Sequence, residues 1–195
     1  MVRSAVAVVF DILQTIVLSA AIFVIIYLFA AQPHLVKGSS MEPNFHNGDY
    51  ILTEKVSYKF RGPQRGEVIV FKAPNRPDAD YIKRIIGLPG EKIKVIEGII
   101  YVNGQKLPEQ YEPINFQTFS GRFLQEGQEF TVPENQYFVF GDNRSHSSDS
   151  REFGPVDKDF IIGRALIRYW PAPRFGAIKT PNYLISFFSS LAKGY

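Results

Sequence analysis

Cysteine is absent from the sequence, which removes disulfides, thiolate nucleophiles and cysteine-ligated metals from consideration. Histidine is nearly absent too. His34, His46 and His146 are the only three, and they are widely separated, without the HExxH-type spacing that brings two imidazoles to one metal. No metal site and no cofactor are expected, and the three histidines read as surface or loop residues. Excess charge is also small: 22 basic against 19 acidic residues leave +3, too little and too evenly spread for a nucleic-acid-binding face. Apolar material is not scarce. With 45% hydrophobic and 21% charged residues, the 195-residue chain has enough for one domain with a core plus an appendage, and little reason for disorder.

A local absence is sharper. From Ile12 to Ala31 no side chain is charged, and only Gln14, Thr15, Ser19 and Tyr27 carry polar groups. A helix of that length rises about 30 Å, the thickness of a bilayer's hydrocarbon core. A cleaved secretory signal has similar ingredients. This run is longer than a usual signal core, however, and "YLFAAQPH" puts Leu28 or Phe29 where a small residue is wanted. The expectation is a retained transmembrane anchor at about 12–31, within an N-terminal segment 1–33. Arg3 and Asp11 nearly cancel on one flank, and the domain that follows is too long for loop charges to assign its side.

Beyond Pro33 the chain changes to short runs rich in β-branched and aromatic residues, punctuated by Gly, Pro, Asn and Asp. "DYILT" (49–53), "EVIVFK" (67–72), "DYIKRII" (80–86), "KIKVI" (92–96), "GIIYV" (98–102), "YFVF" (137–140) and "DFIIGRALIRYW" (159–170) all read as strands. Asn103-Gly104 is a strong hairpin signal, and Asn47-Gly48 a weaker one. No amphipathic helix and no repeat is evident between 34 and 175. The expected architecture is mostly β: an antiparallel domain at 34–175, tethered by one N-terminal transmembrane helix. Residues 109–129 lack a strand pattern and read as a surface excursion. Residues 176–195 read as an apolar tail, a short helix either packed or interfacial. "GLPGEK" (87–92) lacks phosphate-loop spacing, and Pro89 deletes an amide such a loop would use; it is a turn between strands.

Two adjacent serines in "VKGSSMEPNF" (36–45) raise the question of a nucleophile. A serine hydroxyl needs a base, and no histidine here stands in a recognisable triad context. The alternative base is a lysine held neutral, its pKa lowered by several units from about 10.4 through burial. Lys83, in "DADYIKRIIGLPGE", lies in an apolar strand. Alternation puts it on one face with Tyr81 and Ile85, and Arg84 on the other with Ile82 and Ile86. A strand lysine is ordinarily an exposed edge residue, so the spacing alone decides nothing. A third stretch, "FGDNRSHSSDSREFGPV" (140–156), crowds Asp142, Asn143, Arg144, Ser147, Asp149 and Arg151 together. That composition suits either a solvated loop or a rigid polar network beside a site.

In order, these stretches resemble the type I signal (leader) peptidases, membrane-bound serine proteases with a Ser–Lys dyad. The resemblance runs through nearly the whole chain: the anchor, "GSSMEP", "RGEVIVFKAP", "YIKRIIGLPGE", "YVNG" and "GDNRSHSSDSREFGPV". It implies a signal-peptidase-type β fold with Ser40, directly before Met41, as nucleophile and Lys83 as general base, and leaves Ser39 dispensable. It further implies that Ser147 hydrogen-bonds and orients the lysine amine, that Asp149 and Arg151 brace the loop, and that Asp142, Asn143 and Arg144 form its opening. Substrate pockets are expected near Met41, Phe45, Tyr81 and Ile82. Gly38 stands where many members carry a serine that helps bind the oxyanion, which shifts that role to backbone, with the Ser40 amide as the leading donor. Asn44 and Phe45 replace the usual Thr and Leu, so the pocket edge differs. The implied partners are preproteins with cleavable signal peptides and membrane lipid. The implied state is a monomer in the cell membrane, single-pass, with its catalytic domain on the extracytoplasmic side. Two other readings compete: a soluble self-cleaving Ser–Lys peptidase, and a membrane-anchored β domain that binds signal peptides or a partner without cutting.

Overall fold

The computed structural model describes residues 5–109, 117–181 and 183. The chain opens with helix α1 (Ala5–Phe29), none of whose residues is buried against the rest of the protein. It is long and apolar enough to cross a bilayer. It starts before the uncharged run and takes in Asp11, and it ends at Phe29. Strand β1 (Ala31–Leu35) follows almost at once, across the boundary read above between the anchor segment, 1–33, and the β domain. Pro33 and the short polar sequence AQPHL hid this strand. It survives because it is an edge strand paired on one side only, to β2 (Tyr50–Glu54), where proline's missing N–H costs no ladder bond.

After the four-residue helix α2 (Ser57–Phe60) come β3 (Val68–Ala73) and the long β4 (Arg76–Gly87). A second set is β5 (Lys92–Ile96), β6 (Ile99–Val102), β7 (Gln105–Lys106) and β8 (Glu129–Thr131). The chain returns through β9 (Gln136–Phe140), α3 (Ser150–Phe153), β10 (Val156–Asp157), β11 (Ile161–Trp170) and β12 (Gly176–Ala177). One sheet has the order β1-β2-β11-β3-β4-β9-β10, with β12 added to β11; the other has the order β7-β6-β5-β8. All pairs are antiparallel, so the mostly antiparallel β reading with one N-terminal apolar helix holds.

The hairpin signals separate in an instructive way. Asn103 and Gly104 both adopt positive φ, 50° and 78°, and close β6 onto β7, the conformation a two-residue type I′ turn needs. Asn47-Gly48 does not close a two-residue hairpin. It lies at the end of a long loop, 36–49, whose base is sealed by Val36 N–H to Asp49 O and Gly48 N–H to Val36 O. The "GLPG" turn joins β4 to β5 as expected, with Leu88 N–H donating to Glu91.

β3 shows why the centre of the first sheet is rigid. Val68 and Val70 pack in one cluster with Met41, Phe45 and Ile82, while Ile69 and Phe71 pack in another with Ile85 and Val139. A strand buried on both faces reads as an unbroken apolar run, which is what "VIVF" is. A third cluster, around Ile93, Ile100, Phe138 and Phe140, ties the two sheets together. Part of the 109–129 stretch belongs to this core rather than to the surface, since Thr118 and Leu124 are buried. The reading of a C-terminal helix falls on residues 182 and 184–195, outside the described residues; within 176–181, Gly176–Ala177 pair with β11.

Candidate active site

Lys83 and Arg84 occupy opposite faces of β4, and the structure buries both at 3% exposure. Alternation alone did not foresee that, because it says nothing of what covers each face. Register sets the next step. β9 ends at Phe140, opposite Arg84, so residues 80–83 are paired on the β3 side only. The serine loop and the 141–149 loop gather beside that stretch. Asn143 N–H donates to Ser40 O (3.0 Å) and the Asn143 amide to Ser39 O (3.1 Å), tying one loop to the other. Met41 and Phe45 hold the serine loop down. They are 1% and 3% exposed in the cluster with Ile51 and Val70, so they anchor the loop in the core. Phe45 also lines a separate cavity with Arg168 and Ile178.

The Lys83 amine donates to Ser40 Oγ at 2.8 Å and to the Ile82 carbonyl at 2.9 Å. Burial drives its pKa down to about 8, against the pull of the Asp149 and Asp142 carboxylates and with a small push from Arg151. Losing the solvation of an ammonium outweighs two carboxylates that are already engaged elsewhere. Arg84 grips Asp142 through two bonds, 2.8 and 2.6 Å, and Arg151 grips Asp149 the same way, 2.8 and 2.7 Å. Asp149 also receives Gly141 N–H (2.9 Å) and caps α3 through Arg151 N–H. Arg144 is tied to Gly141 O, Thr118 Oγ1 and Glu109. The two ends of the 141–151 stretch are thus tied into a buried polar network, while Ser145, His146 and Ser148 between them are exposed.

Ser147 departs from expectation. Its hydroxyl is buried without a hydrogen-bond partner, and the lysine amine bonds the Ile82 carbonyl and Ser40 instead. It nonetheless lies beside the pair. A Cβ added at Gly141 would stand 2.1 Å from Ser147 Oγ and 2.4 Å from Ser40 O, so Gly141 is the gap through which the two serine segments approach. Gly141→Ala must push them apart, and about a hundredfold loss of kcat in any reaction that needs the Ser40–Lys83 pair in place is expected for a displacement approaching 1 Å, with the fold retained by circular dichroism.

A cleft of about 360 Å³ opens over Ser40 and Lys83, walled by Val36, Ile51, Val70, Tyr81 and Ile82. His34 and His146 also line it. His34 is therefore not the bland loop residue of the sequence reading. Its Nδ1 meets Thr53 Oγ1 at 3.0 Å, and burial lowers its pKa against the attraction of Asp80. Only the β1–β2 pairing brings it there, and no local signal could have found it. Gly38, at φ +88°, donates its N–H to Asn47 Oδ1. The Ser40 amide makes no backbone hydrogen bond among the described residues. No group of three or more His, Asp or Glu suited to a metal occurs among the described residues.

A family model described as signal peptidase, peptidase S26, matches residues 9–170. Curated relatives agree. A "Probable signal peptidase I-2" of Synechocystis sp. is 40% identical over 171 residues, covering 85% of this chain and 75% of that protein. "Signal peptidase IB" of Staphylococcus aureus strain COL is 36% identical over 179 residues, covering 85% and 93%. A solved signal peptidase I from Enterococcus faecalis V583 aligns with 53% of this chain and 97% of its own, at 34% identity and TM-score 0.43. The chain belongs to the signal peptidase, peptidase S26, family.

Proposed function

We propose that this chain is a membrane-bound serine endopeptidase that removes N-terminal signal peptides from exported preproteins, with Ser40 as nucleophile and Lys83 as general base. The observation that carries the reading is the buried Lys83 amine, 2.8 Å from Ser40 Oγ with its pKa near 8. Such an amine has a neutral fraction of roughly a tenth to a fifth near pH 7, far more than an ordinary lysine with a pKa of about 10.4, and neutral is the form a base for a serine must take. It takes the Ser40 proton as Oγ attacks the scissile carbonyl carbon. The Ser40 N–H donates to the resulting oxyanion. The C–N bond then breaks, the proton passes from Lys83 to the departing amine, and a water deprotonated by Lys83 hydrolyses the ester. No metal or cofactor enters these steps. When Ser40 Oγ leaves the amine to attack, the unpartnered Ser147 hydroxyl beside it becomes the natural acceptor for the lysine; catalytic hydrogen bonds often form only in the substrate complex. Asp142, Asn143, Arg144, Asp149 and Arg151 hold the loops that carry this geometry.

The apolar helix α1 serves as a single-pass anchor, with residues 34–175 as the catalytic domain on the extracytoplasmic side, acting as a monomer. A signal peptide's apolar segment lies in the same bilayer, so enzyme and cleavage site meet at high effective concentration. Tyr81 and Ile82, on the stretch of β4 that no strand covers on one side, contact the substrate backbone, and the Val36, Ile51 and Val70 wall receives small side chains. The test uses the purified, detergent-solubilised chain and a precursor whose signal ends Ala-x-Ala. Cutting is expected after the second alanine, and a precursor with Leu in place of both alanines should remain whole. Binding of the first precursor without cutting would instead assign a non-catalytic receptor.

A further inference from the structure

The end of α1 is clamped to the β domain by lysines. Lys55 N–H donates to Ala30 O at 2.9 Å. Its ammonium reaches the Tyr27 and Leu28 carbonyls at 3.3 Å each and lies 5.9 Å from the centre of the Tyr27 ring. A cation on the last carbonyls of a helix satisfies acceptors that have no partner within the helix and complements its dipole. One turn further on, Lys59 Nζ stands 5.5 Å from the centre of the Phe29 ring. The segment that carries these lysines is itself two-sided. Tyr58 turns inward and donates to Glu67 (2.9 Å), and Glu54 accepts from Ser57 N–H. Val56 and Phe60, four residues apart and so on one side of the turn, are 40% and 85% exposed.

An aromatic ring this exposed, flanked by two lysines and set against the end of a bilayer-length helix, needs a surface that is apolar within and anionic at its rim. We propose that Val56–Phe60 is a docking element for anionic phospholipid, with Lys55 and Lys59 at the headgroup phosphates and Val56 and Phe60 in the upper acyl region. The inference rests on the anchor reading above. The 25 residues of α1 rise about 37 Å, more than the hydrocarbon core. The level of Tyr27–Phe29, to which both lysines are tied, is therefore headgroup level. Cations there gain from an anionic leaflet, and a ring beside them sits at the depth amphipathic surface helices reach. The consequence is positional. With β1 starting two residues past the helix, a second contact at α2 fixes the tilt of the sheet, and with it the height of Ser40 above the membrane.

Because the chain has no cysteine, Phe60→Cys and, separately, Val17→Cys each give one site for a nitroxide. The full chain is reconstituted in phosphatidylcholine bilayers with and without about a quarter phosphatidylglycerol. In anionic bilayers the label at 60 is expected to collide more with dissolved oxygen than with an aqueous nickel chelate, as the label at 17 does. Lys55→Gln with Lys59→Gln should shift the label at 60 toward water in anionic bilayers and leave it unmoved in neutral ones. A water-like label at 60 with a lipid-like label at 17 would overturn the docking proposal and leave the anchor standing. Water-like labels at both would bring down the anchor reading and the proposal with it. Insensitivity to both lipid charge and the lysines would remove the headgroup contact. Protection at 60 only after precursor is added would give this surface to substrate instead of lipid.

Discussion

Lys83→Met is expected to lower kcat/KM for a signal-bearing peptide by about four orders of magnitude or more, and Ser40→Ala to lower it as far. The double variant should be no worse than either single one, since groups that act as one unit are lost together. Methionine keeps most of the lysine's volume in a site that is 3% exposed, so the loss reports chemistry and not collapse. The wild-type profile gives the complementary signature. The base must be neutral, so kcat/KM should rise with pH through about 8, the value to which burial brings the amine, and not through a value near 10. Stability should respond in the opposite sense to the substitution. The folded amine releases its proton near pH 8 and the unfolded one near 10.4. Between these values the unfolded chain holds more protons, and stability rises with pH. Below pH 8 the full penalty of the buried amine is present. Removing it with Lys83→Met should therefore stabilise the protein at pH 7 by something on the order of 3 kcal/mol, a gain that shrinks as pH rises from 8 and is gone above about 10.4. A melting temperature that rises while activity vanishes would be the clearest sign that this lysine is buried for catalysis at a cost in stability. An acidic limb absent from the profile would reject Lys83 as the base.

The parts of this site differ in how visibly the sequence carries them, and the differences are physical. Local chemistry was plain. "KIKVI" is β5 residue for residue, and Asn103-Gly104 is the turn its positive φ values require. The order of the serine, lysine and Asp/Arg stretches was legible as a resemblance, because each is a short contiguous motif. What the chain does across distance was not. Ser40 and Lys83 are 43 residues apart, and their hydrogen bond depends on β9 stopping at Arg84. Both faces of β4 are buried because the serine loop covers one and packed aromatics the other, which no alternation rule contains. Met41 and Phe45 sit next to the nucleophile in sequence, yet their side chains enter the core to hold its loop. His34 lines the cleft through pairing of two strands, one of them masked by its proline. Thr118 and Leu124 are buried from a stretch with no periodicity at all.

Asp142→Ala should be strongly destabilising. Arg84 and Asp142 are 3% and 0% exposed and joined by two charge-assisted bonds, and Asn44 donates to the same carboxylate at 2.9 Å. Removing the carboxylate takes both charge-assisted bonds of Asp142 from a buried guanidinium that also donates to Gly66 O. Breaking a buried pair in this way costs about 3–5 kcal/mol, or roughly 6–20 °C in melting temperature for a chain of this size. Replacing both partners, Arg84→Met with Asp142→Leu, should recover part of the loss, because the two opposite charges then leave the interior together. Activity separates the two roles of the pair. Asp142 raises the Lys83 pKa, so Asp142→Asn, which keeps the shape and one acceptor, should move the acidic limb of the pH–rate profile to lower pH. A merely structural Asp142 would lower the melting temperature and leave that limb where it was. The network beside the dyad thus acts in two ways at once: Arg84 holds Asp142 in place, and Asp142 limits how far burial lowers the pKa of the base.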